Sequence, residues 1–371
     1  MPRVLLIVAH RLDRSPGQRY RFEQYLPYLE QHGFEFTLAT LLDAADDRTF
    51  YAHGGAAGKA WVLLKGAARR LRDVTRAREH DAILLFREAY PLGSTWFERR
   101  FHNSGVPMIF DFDDAIWLDS TSDANRRFAW MKNGQKTNEL IAMSQIVTAG
   151  NAYLANYARQ FNTNVRIVPT TIDTGYYTPR DETSASDAGS AQAVIRIGWT
   201  GSPTTIEHFR TAIPALTELK RRYGSRLAFT VIGDPSYRDP ELDVQSLPWR
   251  SATEVQDLRP FDIGIMPLPD DEWTRGKCGA KGLQYMALKI PTVMSPVGVN
   301  TEIITHGQNG MLASTPQEWI DVLSQLIDSA ELRRRLGAAG RETVIARYSV
   351  LSQRDVYLSI FREACDRRRT S

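Results

Sequence analysis

"GKCGAKGLQYMALKIPTVMSPVGVN", residues Gly276–Asn300, sets small residues and two lysines ahead of a short amphipathic run, then a buried apolar segment that stops at Gly298. A helix followed directly by a short apolar strand is the repeating unit of a parallel sheet with helices on its faces. Lys277 and Lys281 stand around the first turn of that helix, where the backbone is already electropositive. Either both are solvated charges, or an anion belongs there. The remainder of the chain has to decide.

The same alternation runs outward in both directions. "RVLLIVAH" (Arg3–His10), "FEFTLATLL", "DAILLFRE" (Asp81–Glu88), "VPMIFDFDDAIW" and "QIVTAGN" read as buried strands, with "QRYRFEQYLPYLEQHG" a helix closed by Gly33. "VRIVPTTIDTGYYTPRDETSASDAGSAQAV" begins as a short strand and continues as a polar tract without apolar periodicity, which reads as a linker. Alternation then restarts with "VIRIGWTGSP", "LAFTVIGD" and "FDIGIMPL". The expectation is an α/β chain of two Rossmann-like, doubly wound parallel-sheet domains. They span residues 1–170 and 193–350, with a linker at 171–192 and a last helix, 351–371, packing back on the first domain. Ligands of such sheets bind outside the carboxyl ends of the strands, so the two halves would face a central cleft.

Composition narrows the class. A length of 371 residues suits two domains, and 43% apolar with 24% charged residues is ordinary for a globular protein. No run approaches the roughly 20 apolar residues of a membrane span. The start, "MPRVLLIVAHRLDR", reads as a first strand and not as a signal peptide. Two cysteines, Cys278 and Cys365, make no disulfide framework and no metal spacing, and they fit a reducing cytoplasm. A net charge of +3 is no nucleic-acid footprint. From Lys59 to Arg78, however, Lys65, Arg69, Arg70, Arg72, Arg76 and Arg78 interleave with Trp61, Val62, Leu63, Leu64, Leu71 and Val74, as on a helix lying against an anionic membrane or as on an ordinary cationic surface.

Three further stretches carry polar groups at strand ends. "IGWTGSP" puts Gly198, Gly201 and Ser202 after a strand, in a turn that would expose amides to a phosphate or would simply be tight. "SPGQRYR" repeats this in the first half, where Gly17 allows close approach and Arg19 and Arg21 suit phosphate or carboxylate. "IFDFDDAIW" ends a buried strand in Asp111, Asp113 and Asp114; capping explains one, and the others suggest sugar hydroxyls, a proton relay or a metal, with no histidine nearby to complete a metal set. In the opening stretch, Gly279, Ala280 and Gly282 leave the helix start open, and Gln284 lies on the face of Lys281. Together these make a diphosphate site with a place for an attached ribose.

These segments resemble the family 4 glycosyltransferases (glycosyl transferases group 1), which have the GT-B fold. The resemblance rests on "PGQRYRFEQYLPYL", "FDFDDAIW", "VRIVPTTIDTGYYTP", "IGWTGSPTT", "FDIGIMPLPDDEW", the opening stretch and "HGQNGMLA", in order along nearly the whole chain. It is strongest to the bacterial branch that builds surface polysaccharides and glycoconjugates. It implies retaining transfer from a nucleotide-diphosphate sugar, UDP- or GDP-linked, to a glycan or lipid-linked acceptor, without a metal or other cofactor. Thr200, Gly201, Ser202, Gly279, Ala280 and Lys281 would meet the donor phosphates, and Lys277 with Arg275 would meet the leaving diphosphate. One of Asp111, Asp113 and Asp114 would orient acceptor or sugar, beside Gly17, Arg19 and Arg21. Gln284 stands where the family has the ribose-binding glutamate of a Glu-x7-Glu motif, and Gly276 where its first glutamate belongs; Asp270, Asp271 or Glu272 would substitute. The basic segment 59–78 and the C-terminal "DRRR" run lead to the expectation of a cytoplasmic enzyme loosely associated with the inner membrane face. A sugar-nucleotide epimerase and a non-catalytic nucleotide-sugar-binding module are the alternatives.

Overall fold

The computed structural model describes residues 1–52, 55–118, 134–180 and 194–370. Six strands make the first sheet: β1 (Arg3–Val8), β2 (Glu35–Thr40), β3 (Ala82–Phe86), β4 (Met108–Phe112), β5 (Ile146–Ala149) and β6 (Val165–Ile167), in the order β2-β1-β3-β4-β5-β6. Six more make the second: β7 (Ile195–Thr200), β8 (Leu227–Ile232), β9 (Gln245–Leu247), β10 (Ile263–Met266), β11 (Thr292–Met294) and β12 (Met311–Leu312), in the order β12-β11-β10-β7-β8-β9. Every pairing is parallel. In each sheet the order reverses at a central strand, the signature of double winding. β3, β4 and β5 are buried at every position, which is why they read as continuous apolar runs.

The chain forms two compact units, Met1–Thr170 with Gln353–Ser371, and Thr171–Ser352. The division corrects the expected linker. Residues 171–180 are built into the second unit: Ile172 bridges to Ser349, and Tyr177 is buried and gives its carbonyl to Arg341. The polar remainder, 181–192, lies outside the described residues. The last helix, Val350–Thr370, joins the first unit from Gln353 onward. Within that unit Tyr357 stacks on Tyr25 with ring centroids 4.0 Å apart, and its hydroxyl donates to the Arg21 carbonyl.

The helix expected over 18–33 is broken. Pro16–Arg21 forms one segment, Phe22 turns out at φ −140°, and a 3-10 turn leads into Leu26–Gln31, which has Pro27 in its first turn. Proline is accepted in a first helical turn and resisted in an interior, so the chain restarts there. β9 and β12, of three and two residues, escaped the sequence reading because so short a run carries no period.

Candidate functional site

In the second unit, β7 ends at Thr200 and the chain turns sharply. Trp199 folds its ring beneath Gly201, where a Cβ would stand 2.2 Å from the indole, and Gly233, at φ +134°, meets the Gly201 carbonyl where any side chain would clash. The turns after β7 and β8 are therefore locked together. Their amides are engaged: Thr200 donates to the Tyr285 hydroxyl (2.8 Å), Gly201 to the Ile232 carbonyl (2.9 Å) and Ser202 to Thr205 Oγ1 (3.0 Å). The expectation that these amides face a phosphate is thus corrected. The Thr200 side chain is buried as well, and what this turn offers a ligand are the exposed hydroxyls of Ser202 and Thr204.

The opening stretch of sequence folds as a short helix, Glu272–Arg275, a loop, and the helix Ala280–Ala287. Gly279 caps the second helix in the left-handed region at φ +70°. The first amides of any helix lack an intrahelical acceptor, so those at Gly279, Ala280 and Lys281 form the electropositive end of this one. Lys277 Nζ lies 4.6 Å from the centre of the Trp273 ring, and Lys281 Nζ lies 5.3 Å from that of Trp199, the ring that underlies Gly201. One indole thus ties Lys281 to the β7 turn at the carboxyl edge of the sheet. Arg275 is exposed and pairs with Asp270 at 2.7 Å, while Asp271 caps its own helix through Thr274; Glu272 sits in the first turn.

Two expectations fail here for steric reasons. Gly279 and Gly282 do not hold space for a ligand: side chains at these positions would run into Ile303 and Met294. Gln284 is buried rather than turned with Lys281 toward a ribose, and its amide donates to Glu254 Oε1 (2.8 Å) and to the Tyr177 hydroxyl (3.0 Å). Glu254, itself buried, also accepts from the Trp249 indole at 2.9 Å. Gln284 works as an interior tie. Gly276, also buried, presents no side chain.

In the first unit the acidic run divides. Asp111 is buried and takes a two-pronged contact from the equally buried Arg21, at 3.0 and 2.6 Å, plus the Thr148 hydroxyl at 2.5 Å. Arg21 also donates to the Val168 carbonyl. The pair is an internal brace between the first helix and β4, which removes both residues from the expected catalytic and phosphate-binding set. Asp113 and Asp114 instead gather on Arg87: Nε donates to Asp113 Oδ1 at 2.8 Å, and Nη2 to Asp114 Oδ2 at 2.8 Å. Gly17 backs onto this cluster, its missing Cβ 3.1 Å from Asp113 Oδ2. Burial pushes the Asp113 carboxyl above the usual carboxylate range; Arg87 opposes the shift and Asp114 adds to it. Arg19 lies over Tyr20 and donates to its hydroxyl.

Arg87 is the residue that sequence reasoning missed. It follows the wholly buried β3 and holds φ at +61°, a strained backbone for a side chain of its size. The signal was present, since "FRE" ends a buried strand in charge just as "FDFDD" does. Trp199 and Trp273, the rings beneath the lysines, carried no such sign in the sequence.

Residues 194–329 match the family model of the glycosyl transferases group 1. A 78-residue stretch is 32% identical to glycosyltransferase 1 domain-containing protein 1 of Xenopus tropicalis, covering 21% of this chain and 23% of that protein. The chain thus spans about a quarter of that relative. Among solved structures, sucrose-phosphate synthase of Thermosynechococcus elongatus is 12% identical with a TM-score of 0.69, covering 98% of this chain and 99% of the other. HepE of Anabaena, in complex with UDP and glucose, is 14% identical with a TM-score of 0.64 over 97% and 99%. A glycosyltransferase of Rickettsia africae is 14% identical with a TM-score of 0.67 over 98% of each chain. Residues 194–329 therefore match the glycosyl transferases group 1, and the chain as a whole has the GT-B fold of these solved glycosyltransferases.

Proposed function

We propose that the protein moves a sugar from a nucleoside-diphosphate sugar, UDP- or GDP-linked, to a glycan or lipid-linked acceptor with retention of anomeric configuration. The pathway would be bacterial surface polysaccharide or glycoconjugate synthesis in the cytoplasm. The observation that carries this reading is the start of the helix Ala280–Ala287, where Lys281 lies over Trp199, the ring beneath the turn that leads to Ser202, and Lys277 precedes the helix. HepE, of the same fold, has been solved with UDP and with UDP-glucose, which supports a nucleotide sugar as donor here.

As the sugar–phosphate bond breaks, the ring becomes oxocarbenium-like and negative charge grows on the departing diphosphate. Lys277, Lys281 and the helix amides are preorganised to stabilise that charge, which is the work a metal does elsewhere. The acceptor hydroxyl attacks the face the diphosphate leaves and gives its proton to a diphosphate oxygen, so no protein nucleophile enters. Asp113 and Asp114, fixed by Arg87, supply acceptors for hydroxyls of the acceptor or sugar. The reading includes metal independence, so chelator should leave the rate unchanged.

A melting-temperature screen against UDP, GDP, ADP, CMP and their sugar conjugates tests the donor half, because a ligand of the folded form raises the transition. Transfer from the stabilising conjugate then tests catalysis. One observation favours a second reading, a binding module without turnover: Gln284 is turned into the interior instead of toward a ribose. Stabilisation by a nucleotide sugar without transfer to any acceptor would select it.

A further inference from the structure

Something has to hold Arg87 at φ +61°. A long side chain stays in the left-handed region only where its surroundings over-determine it. On the amino side of Arg87 the constraint is β3 itself, with the Arg87 amide donating to the Asp111 carbonyl at 2.8 Å. On its carboxyl side, residues 88–92 leave the sheet without reaching open solvent, for Ala89 and Tyr90 are buried. Backbone groups that are buried off the strand ladder need partners from elsewhere.

Two buried charges from different helices supply them. Glu98, in the helix Trp96–His102, accepts from the Ala89 amide at 3.0 Å. Lys136, in the helix Gly134–Met143, donates to the carbonyls of Tyr90 (2.5 Å) and Leu92 (3.0 Å). Its ammonium also lies 2.9 Å from Glu98 Oε1 and 3.1 Å from Glu88 Oε2. A third buried charge, Arg70, donates to the Ala89 carbonyl at 2.7 Å. For stability alone, a buried ion pair does no better than apolar side chains of the same volume. What Lys136 and Glu98 add is direction, because they fix the loop at its polar atoms. That loop begins at the residue whose guanidinium holds both Asp113 and Asp114.

From this network we infer that Lys136 and Glu98 are positioning residues of the site. They clamp residues 88–92, keep Arg87 in its left-handed conformation, and through its guanidinium aim Asp113 and Asp114 at a substrate hydroxyl. The inference rests on the reading of those two carboxylates as hydroxyl acceptors and adds what keeps them in place. Every residue of the clamp lies in the first unit, so it is independent of the donor assignment.

The test is the titration of the Asp113 carboxyl, followed by carbon-13 NMR of the full-length chain with labelled aspartate and assigned by the signal lost in D113N. Arg87 opposes the upward shift of this carboxyl, so R87M should move its titration to higher pH and marks the full effect. K136M alone would strand the Glu98 carboxylate in the interior, so the pair is replaced together, and K136M/E98Q leaves the net charge unchanged. With the guanidinium no longer held in place, this variant should titrate at higher pH than wild type, toward R87M. I141A opens a cavity on another face of the helix Gly134–Met143 and should titrate like wild type. A wild-type titration in the folded double variant, or an equal shift in I141A, would overturn the assignment. Hydrogen exchange of the wild type needs no variant. The amides of Arg87 and Ala89 should exchange as slowly as those within β3, and exchange at open-loop rates would also overturn it. Transfer should fall about 10- to 100-fold in K136M/E98Q, the scale for a small misplacement at a site. Wild-type transfer by D113N, beside a shifted titration in K136M/E98Q, would leave the clamp standing and remove the hydroxyl-binding reading instead.

Discussion

Lys277 and Asp113 carry the sharpest consequences for single side chains. Lys277 stands ahead of the helix Ala280–Ala287 with its ammonium above the Trp273 ring, and its truncation removes charge without disturbing the core. Lys277→Ala should lower kcat roughly 100-fold, the scale for one preorganised charge contact in a transition state, with an unchanged melting curve. Near-wild-type transfer by this variant would sink the leaving-group assignment. Asp113 tests the other unit. Its folded pKa lies above the ordinary value because of burial, so the folded protein holds the proton more tightly than the unfolded chain. That contribution to stability is complete below the ordinary carboxylate pKa and is lost as pH rises through the raised one. Asp113→Asn removes the ionisation while keeping an oxygen for Arg87. Relative to wild type its melting temperature should therefore rise, or at least improve, between acid and neutral pH, while transfer falls at least about tenfold. Melting curves at the two pH values, with an activity assay, check both signs.

At the scale of elements, what the sequence disclosed depended on how local the cause was. The five-residue apolar strands were legible because burial on both faces leaves no room for a polar residue, as in "AILLF". The two lysines at this helix start were legible as a pair because a helix start concentrates its electrostatics within one turn. Partners far apart in sequence were not. Nothing within "FDFDD" tells Asp111 from Asp113; what marks out Asp111 is the two-pronged grip of Arg21, ninety residues earlier. Nor does "QYMA" reveal that Glu254 will claim Gln284. The helix Ala330–Arg347 gives a test of such hidden contact. A Cβ on Gly337 would stand 2.0 Å from the Lys289 carbonyl oxygen, and Lys289 is itself held at φ +60°. Alanine gains about 1 kcal/mol of helix propensity over glycine, while overpacking against unyielding backbone costs about 1–3 kcal/mol. Gly337→Ala should therefore destabilise the protein by up to about 2 kcal/mol by urea denaturation, where propensity alone demands the opposite sign.

For the whole molecule, the path of the chain couples the two units even though each has its own sheet. The last helix leaves the second unit at Ser352 and supplies the first with Tyr357, Leu358, Ile360 and Phe361, all buried. Burying each such side chain is worth about 1.5–3 kcal/mol, so the four contribute about 6–12 kcal/mol. That is comparable to the whole stability of a domain, about 5–15 kcal/mol. Tyr357 also donates to the Arg21 backbone, directly over the Arg21–Asp111 brace. A chain ended after Ser352 should consequently fail to fold residues 1–170, while residues 171–352 keep their own sheet, their core around Trp199 and Phe229, and the lysine-bearing helix end. In thermal melts followed by circular dichroism, the truncated chain should show one cooperative transition of reduced amplitude, still raised by whichever nucleoside diphosphate stabilises the intact protein. A truncated chain with the full native amplitude would mean that the first unit stands without the last helix. Loss of the nucleotide response alone, with the transition retained, would instead mean that the donor is held by more than the residues of the second unit.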